Sequence, residues 1–167
     1  MDSETRKSVG AFVGIDIGVA NFNDYGHLSA ALSAGESGAH RIRYTGQFVY
    51  SSEILLPPFW DGKPDPVENR IELNGLAGTL IRINLLYLEM NGGLGYFHEV
   101  RRGAALDADP GNTYERLSSN GIGVPIEASI GFINRIGVGL KVKGLLGRDS
   151  YAGFLLEVMG GAFPDPD

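Results

Sequence analysis

The residues able to do chemistry in this 167-residue chain are charged side chains that recur at alternate positions. Asp16 lies between Gly14 and Gly18, Glu72 beside Asn74, and Glu89 beside Asn91, each counted two residues apart. Glu127 shares its parity with Ser129, Lys141 with Lys143, and Glu157 with Leu155. Arg41 and Arg43 share theirs with Thr45 and Gln47, Arg82 with Gly78, and Glu99 with Phe97. The two signs nearly balance. Charges withdrawn from water are tolerated when they are paired and hydrogen-bonded. This set therefore predicts ion pairs filling an enclosed interior. A narrow gated path for an ion or small solute is the alternative use of the same residues. Carboxylate pairs suited to general acid–base work could also be picked from it. Any charged interior offers such pairs, so no catalytic residue is assigned.

Other chemistries find less support. Gly93-Leu-Gly95, Gly121-Ile-Gly123 and Gly137-Val-Gly139 look like pieces of phosphate loops. A nucleotide fingerprint needs a strand, a loop and then a helix, and each of these continues an alternating segment instead. The better reading is that glycine leaves room for arginine and aromatic side chains across an interior. His27, His40 and His98 lack metal-ligand spacing, and cysteine is absent, so no metal, disulfide or thiol chemistry is expected. His98, in Tyr96-Phe97-His98-Glu99, could serve a lipid hydrolase, but no GxSxG accompanies it. No cofactor is expected.

The elements that must hold these residues are strands. From Val9, every second residue is apolar: Val9, Ala11, Val13, Ile15, Ile17, Val19. The other face is Gly10, Phe12, Gly14, Asp16, Gly18, Ala20. A period of two marks a β-strand with one apolar side. Small residues on the second side suit a crowded concave interior better than an open surface. The same asymmetry recurs at Ile122–Phe132 against Gly121–Gly131, and at Ile136–Val142 against Gly137–Lys143. A barrel that is apolar outside and small or polar inside is how a membrane-spanning β-barrel is built.

Strands are expected over 8–22, 27–34, 41–52, 70–82, 86–99, 116–132, 136–143 and 151–163. The Ala-rich second segment is also compatible with a helix. Turns are expected at 23–26, 35–39, 83–85, 133–135 and 147–150, and long loops at 55–68 and 101–112. This makes an all-β, eight-stranded, antiparallel up-and-down transmembrane barrel, with the even strand number usual for bacterial barrels. Residues 1–7 are expected to be a disordered tail, 8–163 the barrel and 164–167 a second tail. On this register Val13, Ile15, Ile17, Ile126, Ile130, Val138 and Leu140 face lipid. Tyr44, Tyr50, Tyr96, Phe132 and Phe154 are candidates for interfacial girdles. The Pro57-Pro58-Phe59-Trp60 segment is expected to pack over the barrel rim.

Composition permits this. Net charge is −6, so the basic footprint of a nucleic-acid binder is missing. Mean hydropathy is near zero, which alternation explains, since half of each spanning strand is polar or small. No run of about 20 apolar residues exists to form a spanning helix. Glycine is frequent, at 25 residues, and much of it sits inside strands. The amino terminus lacks an apolar core and is not a signal peptide. The expectation is a mature exported chain, with its leader absent and Met1 an added initiator.

The chain resembles the small outer-membrane β-barrels of Gram-negative bacteria, the outer membrane protein A-like and opacity-type group. The resemblance is carried by Ser8-Val-Gly-Ala-Phe-Val-Gly-Ile-Asp-Ile-Gly18, Gly121-Ile-Gly-Val-Pro-Ile-Glu-Ala128 and Tyr151-Ala-Gly-Phe-Leu-Leu-Glu-Val-Met-Gly-Gly-Ala-Phe163. It implies an outer-membrane location, contact with lipid or detergent, recognition by the outer-membrane assembly machinery, and Phe163 in the place of the family's terminal aromatic. Phe163 falls on the inward parity, so a bulge near Gly160-Gly161 is expected.

Two functional readings follow. The first is an integral outer-membrane barrel, monomeric, with a largely plugged polar lumen and a structural, adhesive or minor transport role. The second is a soluble calycin-like barrel, whose Val13, Ile15, Ile126 and Ile130 would line a cavity for an apolar ligand. An outer-membrane lipid-modifying enzyme is a third possibility.

Overall fold

The alternation that begins at Val9 is realised as strand β1, Gly10–Phe22, which returns through β2, Tyr25–Ser37. The computed structural model describes residues 10–22, 25–37, 42–53, 66–106, 113–147 and 149–163. β3 (Ile42–Glu53), β4 (Asn69–Ile83), β5 (Leu86–Ala105), β6 (Tyr114–Ile133), β7 (Ile136–Leu146) and β8 (Tyr151–Gly161) follow. Each strand pairs with its sequence neighbours, and β8 returns to β1 with Asp16 opposite Glu157. The result is a closed eight-stranded antiparallel barrel. Closure satisfies the backbone of every strand and leaves the wall without an edge.

Alternation then decides what each face meets. Val13, Ile15 and Ile17 are 52–63% exposed on the outside, whereas Asp16 between them is 1% exposed. The Ala-rich segment is strand and not helix, because Ser29, Ala31 and Ser33 are small enough to line the crowded interior. Gly35–Ser37, expected in a turn, belong to β2 and pair with Thr45–Arg43. The tight inner connection at Asn84-Leu85 places Asn84 at φ 54°, a region that Asn enters at little cost.

The largest departure is between β5 and β6. Residues 101–105, expected in a loop, continue β5 and pair with the start of β6, with a register shift between Arg102 and Ala105. Above the barrel wall both faces of a hairpin are wet, so no apolar side marks it as strand. The other bounds move by a few residues. The expected terminal tails, the first two residues of the expected first strand, Arg41, His40 and the Pro57–Trp60 segment lie outside the described residues.

Candidate functional site: the charged lumen

The interior is built in layers, each supplied by inward residues of several strands. At the inner end, beside the short turns, Leu80, Tyr87, Ile133 and Met159 form an apolar cluster. Phe163 packs against it. β8 ends at Gly161, whose φ of +141° favours glycine, and Ala162 still donates its N–H to the Ala11 carbonyl of β1 at 3.0 Å. The bulge expected near Gly160-Gly161 is absent: Gly160 and Gly161 pair with Val13 and Phe12 in unbroken register.

Above this cluster, the Arg43 guanidinium lies 3.3 Å over the Phe12 ring and donates to Glu89 Oε2 at 2.5 Å. Cation–π contact and a charge-assisted hydrogen bond hold the same group from two sides. Tyr87 donates across the lumen to Glu157 Oε2 at 2.8 Å. Gly131 and Gly139 flank this ring: a Cβ at either would strike Tyr87 or neighbouring backbone. Glycine here clears space for an aromatic crossing.

Lys141 is the hub of the middle layer. Its Nζ lies 2.6 Å from Glu157 Oε1, 2.8 Å from Asp16 Oδ2 and 3.7 Å from Glu127 Oε2. Lys143 crosses to the opposite wall, reaching Gln47 Oε1 at 2.9 Å and Glu72 Oε2 at 3.1 Å, with Glu127 Oε1 at 3.8 Å. Asn74 donates to both Gln47 and Glu72. The register makes this possible, since Glu127 faces Lys143 directly and Asp16 faces Glu157. Two carboxylates directly opposite would repel, and Lys141 between them removes the repulsion.

Arg70 caps the network. It donates to Glu72 and Glu99, each at 3.0 Å, and stacks 4.0 Å from the Phe97 ring centroid. Ala20, Phe97, Leu145 and Tyr151 form a second apolar cluster at this outer end. Beyond it Arg101 pairs with Glu99 and Asp149, and Arg102 holds both oxygens of Glu53 at 2.9 and 2.8 Å. The lumen thus has a charged middle between two apolar clusters, with ion pairs beyond the outer one.

Of the charged residues expected inside, Asp16, Arg43, Glu72, Glu89, Glu127, Lys141, Lys143 and Glu157 are brought together here, each at most 3% exposed. Arg82 is not among them. It sits half-buried where β4 meets its turn, and its Nε donates to the Asn84 carbonyl. Its parity is inward, and its cross-strand partner is the buried Tyr87. Arg70 is not among the residues expected inside, although the expected strand begins with it. Its parity with Glu72 and Asn74 was the available signal. Leu76 and Leu80, which interrupt the polar face in sequence, are buried lumen packing. The outward residues Val13, Ile15, Ile17, Ile126, Ile130, Val138 and Leu140 are all exposed. So are Tyr44 and Phe132 toward the inner end, and Tyr50, Tyr96 and Phe154 toward the outer end. Val13, Ile15, Ile126 and Ile130 lie exposed on the outer wall and not toward the barrel interior, the reverse of what a calycin-like arrangement requires.

Every cation of this network is engaged by carboxylates, so its chemistry is charge neutralisation and cross-linking. Among the described residues, no cluster of His, Asp or Glu could hold a metal ion.

No protein-family model and no curated protein matches the sequence. Solved structures do match. The attachment invasion locus protein Ail of Yersinia pestis superimposes with a TM-score of 0.58 at 13% identity, over 93% of this chain and 97% of that one. The outer membrane protein Ail in a phospholipid bilayer nanodisc gives 0.53 at 15% identity, over 90% and 99%. The N-terminal β-barrel domain of Pseudomonas aeruginosa OprF gives 0.53 at 10% identity, over 90% and 97%. The chain has the fold of these small barrels.

Proposed function

We propose that this chain is an integral barrel of the bacterial outer membrane, with a closed lumen, acting through its external surface in a structural or adhesive role. The observation that carries this reading is the inversion of the wall. Large apolar side chains are exposed around the whole circumference, while Lys, Arg, Asp and Glu are buried within it. In water such a surface would drive aggregation; in a bilayer it is the required one. The outward aromatics near both ends of the strands support girdles at the two interfaces. The shared fold with Ail, solved in a bilayer nanodisc, supports the same placement.

A closed lumen argues against steady conduction, because its long side chains are cross-linked and almost fully buried. Catalysis has no support in the network, where the carboxylates serve as counter-ions. The surrounding partners are lipid and, during biogenesis, the outer-membrane assembly machinery, with a monomer as the working state.

The test is reconstitution. The protein should require detergent or lipid to stay monodisperse, float with vesicles after refolding, and give no steady large conductance in planar bilayers. Monodisperse behaviour in plain buffer would overturn the membrane reading. A large steady current from the folded monomer would overturn the closed lumen.

A further inference from the structure

Two short turns at the inner end carry residues that do not suit water. A turn in water favours Gly, Pro, Asn, Asp and Ser. Here Asn84 and Asn134 are flanked by Ile83, Leu85, Phe132 and Ile136, all 54–68% exposed. Leu86 pairs with Phe132, and the Ile133 N–H donates to the Leu85 carbonyl at 2.7 Å, so the two turns form one lip. Leu85 lies a step beyond Phe132, past the inner aromatic level. Above the lip the same strands continue as exposed apolar wall, with Leu88, Ile130 and Val138. Residues 82–86 and 132–136 contain no carboxylate; their charges are Arg82 and Arg135. On β2, by contrast, the exposed outward residue beside Tyr44 is Glu36.

We infer that this lip is sunk among the acyl chains of the inner leaflet, so that the barrel sits deepest along β4–β7. The inference rests on the membrane reading above. Continuity carries the choice of occupant, because the lip extends the lipid-facing wall without a polar break. The backbone supports it independently. The Asn84 carbonyl accepts from Arg82 Nε at 2.9 Å, the Leu85 carbonyl from Ile133, and the Ile136 carbonyl from the Asn134 N–H at 3.2 Å. Water would satisfy such groups unaided; lipid cannot, so a turn within it must supply its own partners. Arg82 thereby acquires a role, as the donor that closes the β4–β5 turn. Arg135 is exposed at the tip, and its long stem lets the guanidinium reach back to the polar boundary.

The experiment places the full chain in phosphatidylcholine nanodiscs, one barrel per disc, where both faces meet buffer. Single thiols at Leu85→Cys, Ile130→Cys and Leu106→Cys carry a small fluorophore. Ile130 marks the wall; Leu106, an exposed leucine 63% accessible on the outer hairpin, marks water. Nitroxides on lipid acyl chains should quench the label at position 85 as they do at position 130. Quenching by iodide, seen at position 106, should be lost at both. Asn134→Cys repeats the measurement with every apolar residue of the lip intact, and should also be quenched by nitroxides placed near the head of the chain. Iodide quenching at positions 85 and 134 equal to that at 106 would overturn the inference and leave the lip to a water-borne partner. Shielding that appears only with two barrels per disc would overturn it in favour of a second copy. Failure of the membrane reading would show differently, as wild-type protein that does not enter discs at all.

Discussion

Ile126 and Glu127 are neighbours in β6, yet they inhabit opposite environments. Ile126 is 44% exposed on the outer wall; Glu127 is 2% exposed and lies between two lysines. The outer face is repetitive, and its residues act separately: each contributes apolar area to a surrounding solvent. The inner face is specific, and its residues act jointly: each charge is tolerable only because another is in place. Damage to the outer face should therefore depend on the solvent. Damage to the inner face should depend on the partner.

The strongest way to break this contrast is at the hub. Lys141→Met leaves Asp16, Glu127 and Glu157 together without their shared cation, and should cost about 3–5 kcal/mol. Adding Asp16→Asn and Glu157→Gln should recover part of the loss. Urea unfolding from vesicles measures both; purely additive losses would show that the network is not joint. Next, Ile126→Arg or Val138→Arg should cost about 2–4 kcal/mol near the bilayer midplane. The penalty should shrink in detergent micelles, where water is closer. Gly123→Arg has inward parity, and a Cβ there already crowds Leu145, so its defect should be the same in either medium. Tyr87→Phe removes one hydrogen bond to Glu157 and should cost about 1–2 kcal/mol. Phe154→Leu, a change of shape on the outer face, should cost below about 1 kcal/mol.

The same contrast explains what was legible in the sequence. Within the wall, one face meets an apolar exterior and the other a crowded interior, so parity alone places Val13, Asp16, Ile126 and Glu127. Above the wall that difference disappears. Arg101, Arg102, Glu115 and Arg116 are polar on both sides, and their strand character comes from cross-strand pairing that no period records. Arg82 shows the converse limit: parity gives a direction, but beside the turn its Nε donates to the Asn84 carbonyl. Which charge pairs with which also depends on height. Lys143 reaching Glu72 and Gln47 across the barrel follows from closure and register, which alternation does not encode.

The central claim is that adjacent residues of one strand face lipid and a closed interior. Because the chain has no cysteine, single thiols test it without background. Ile126→Cys and Ser129→Cys lie on opposite parities of β6, and neither removes a charge. In vesicles, a fluorophore on the first should be quenched by nitroxides carried on lipid acyl chains and ignored by a water-soluble quencher. The second thiol should resist labelling until the barrel unfolds. Aqueous quenching at position 126, or ready labelling of folded protein at position 129, would contradict the account.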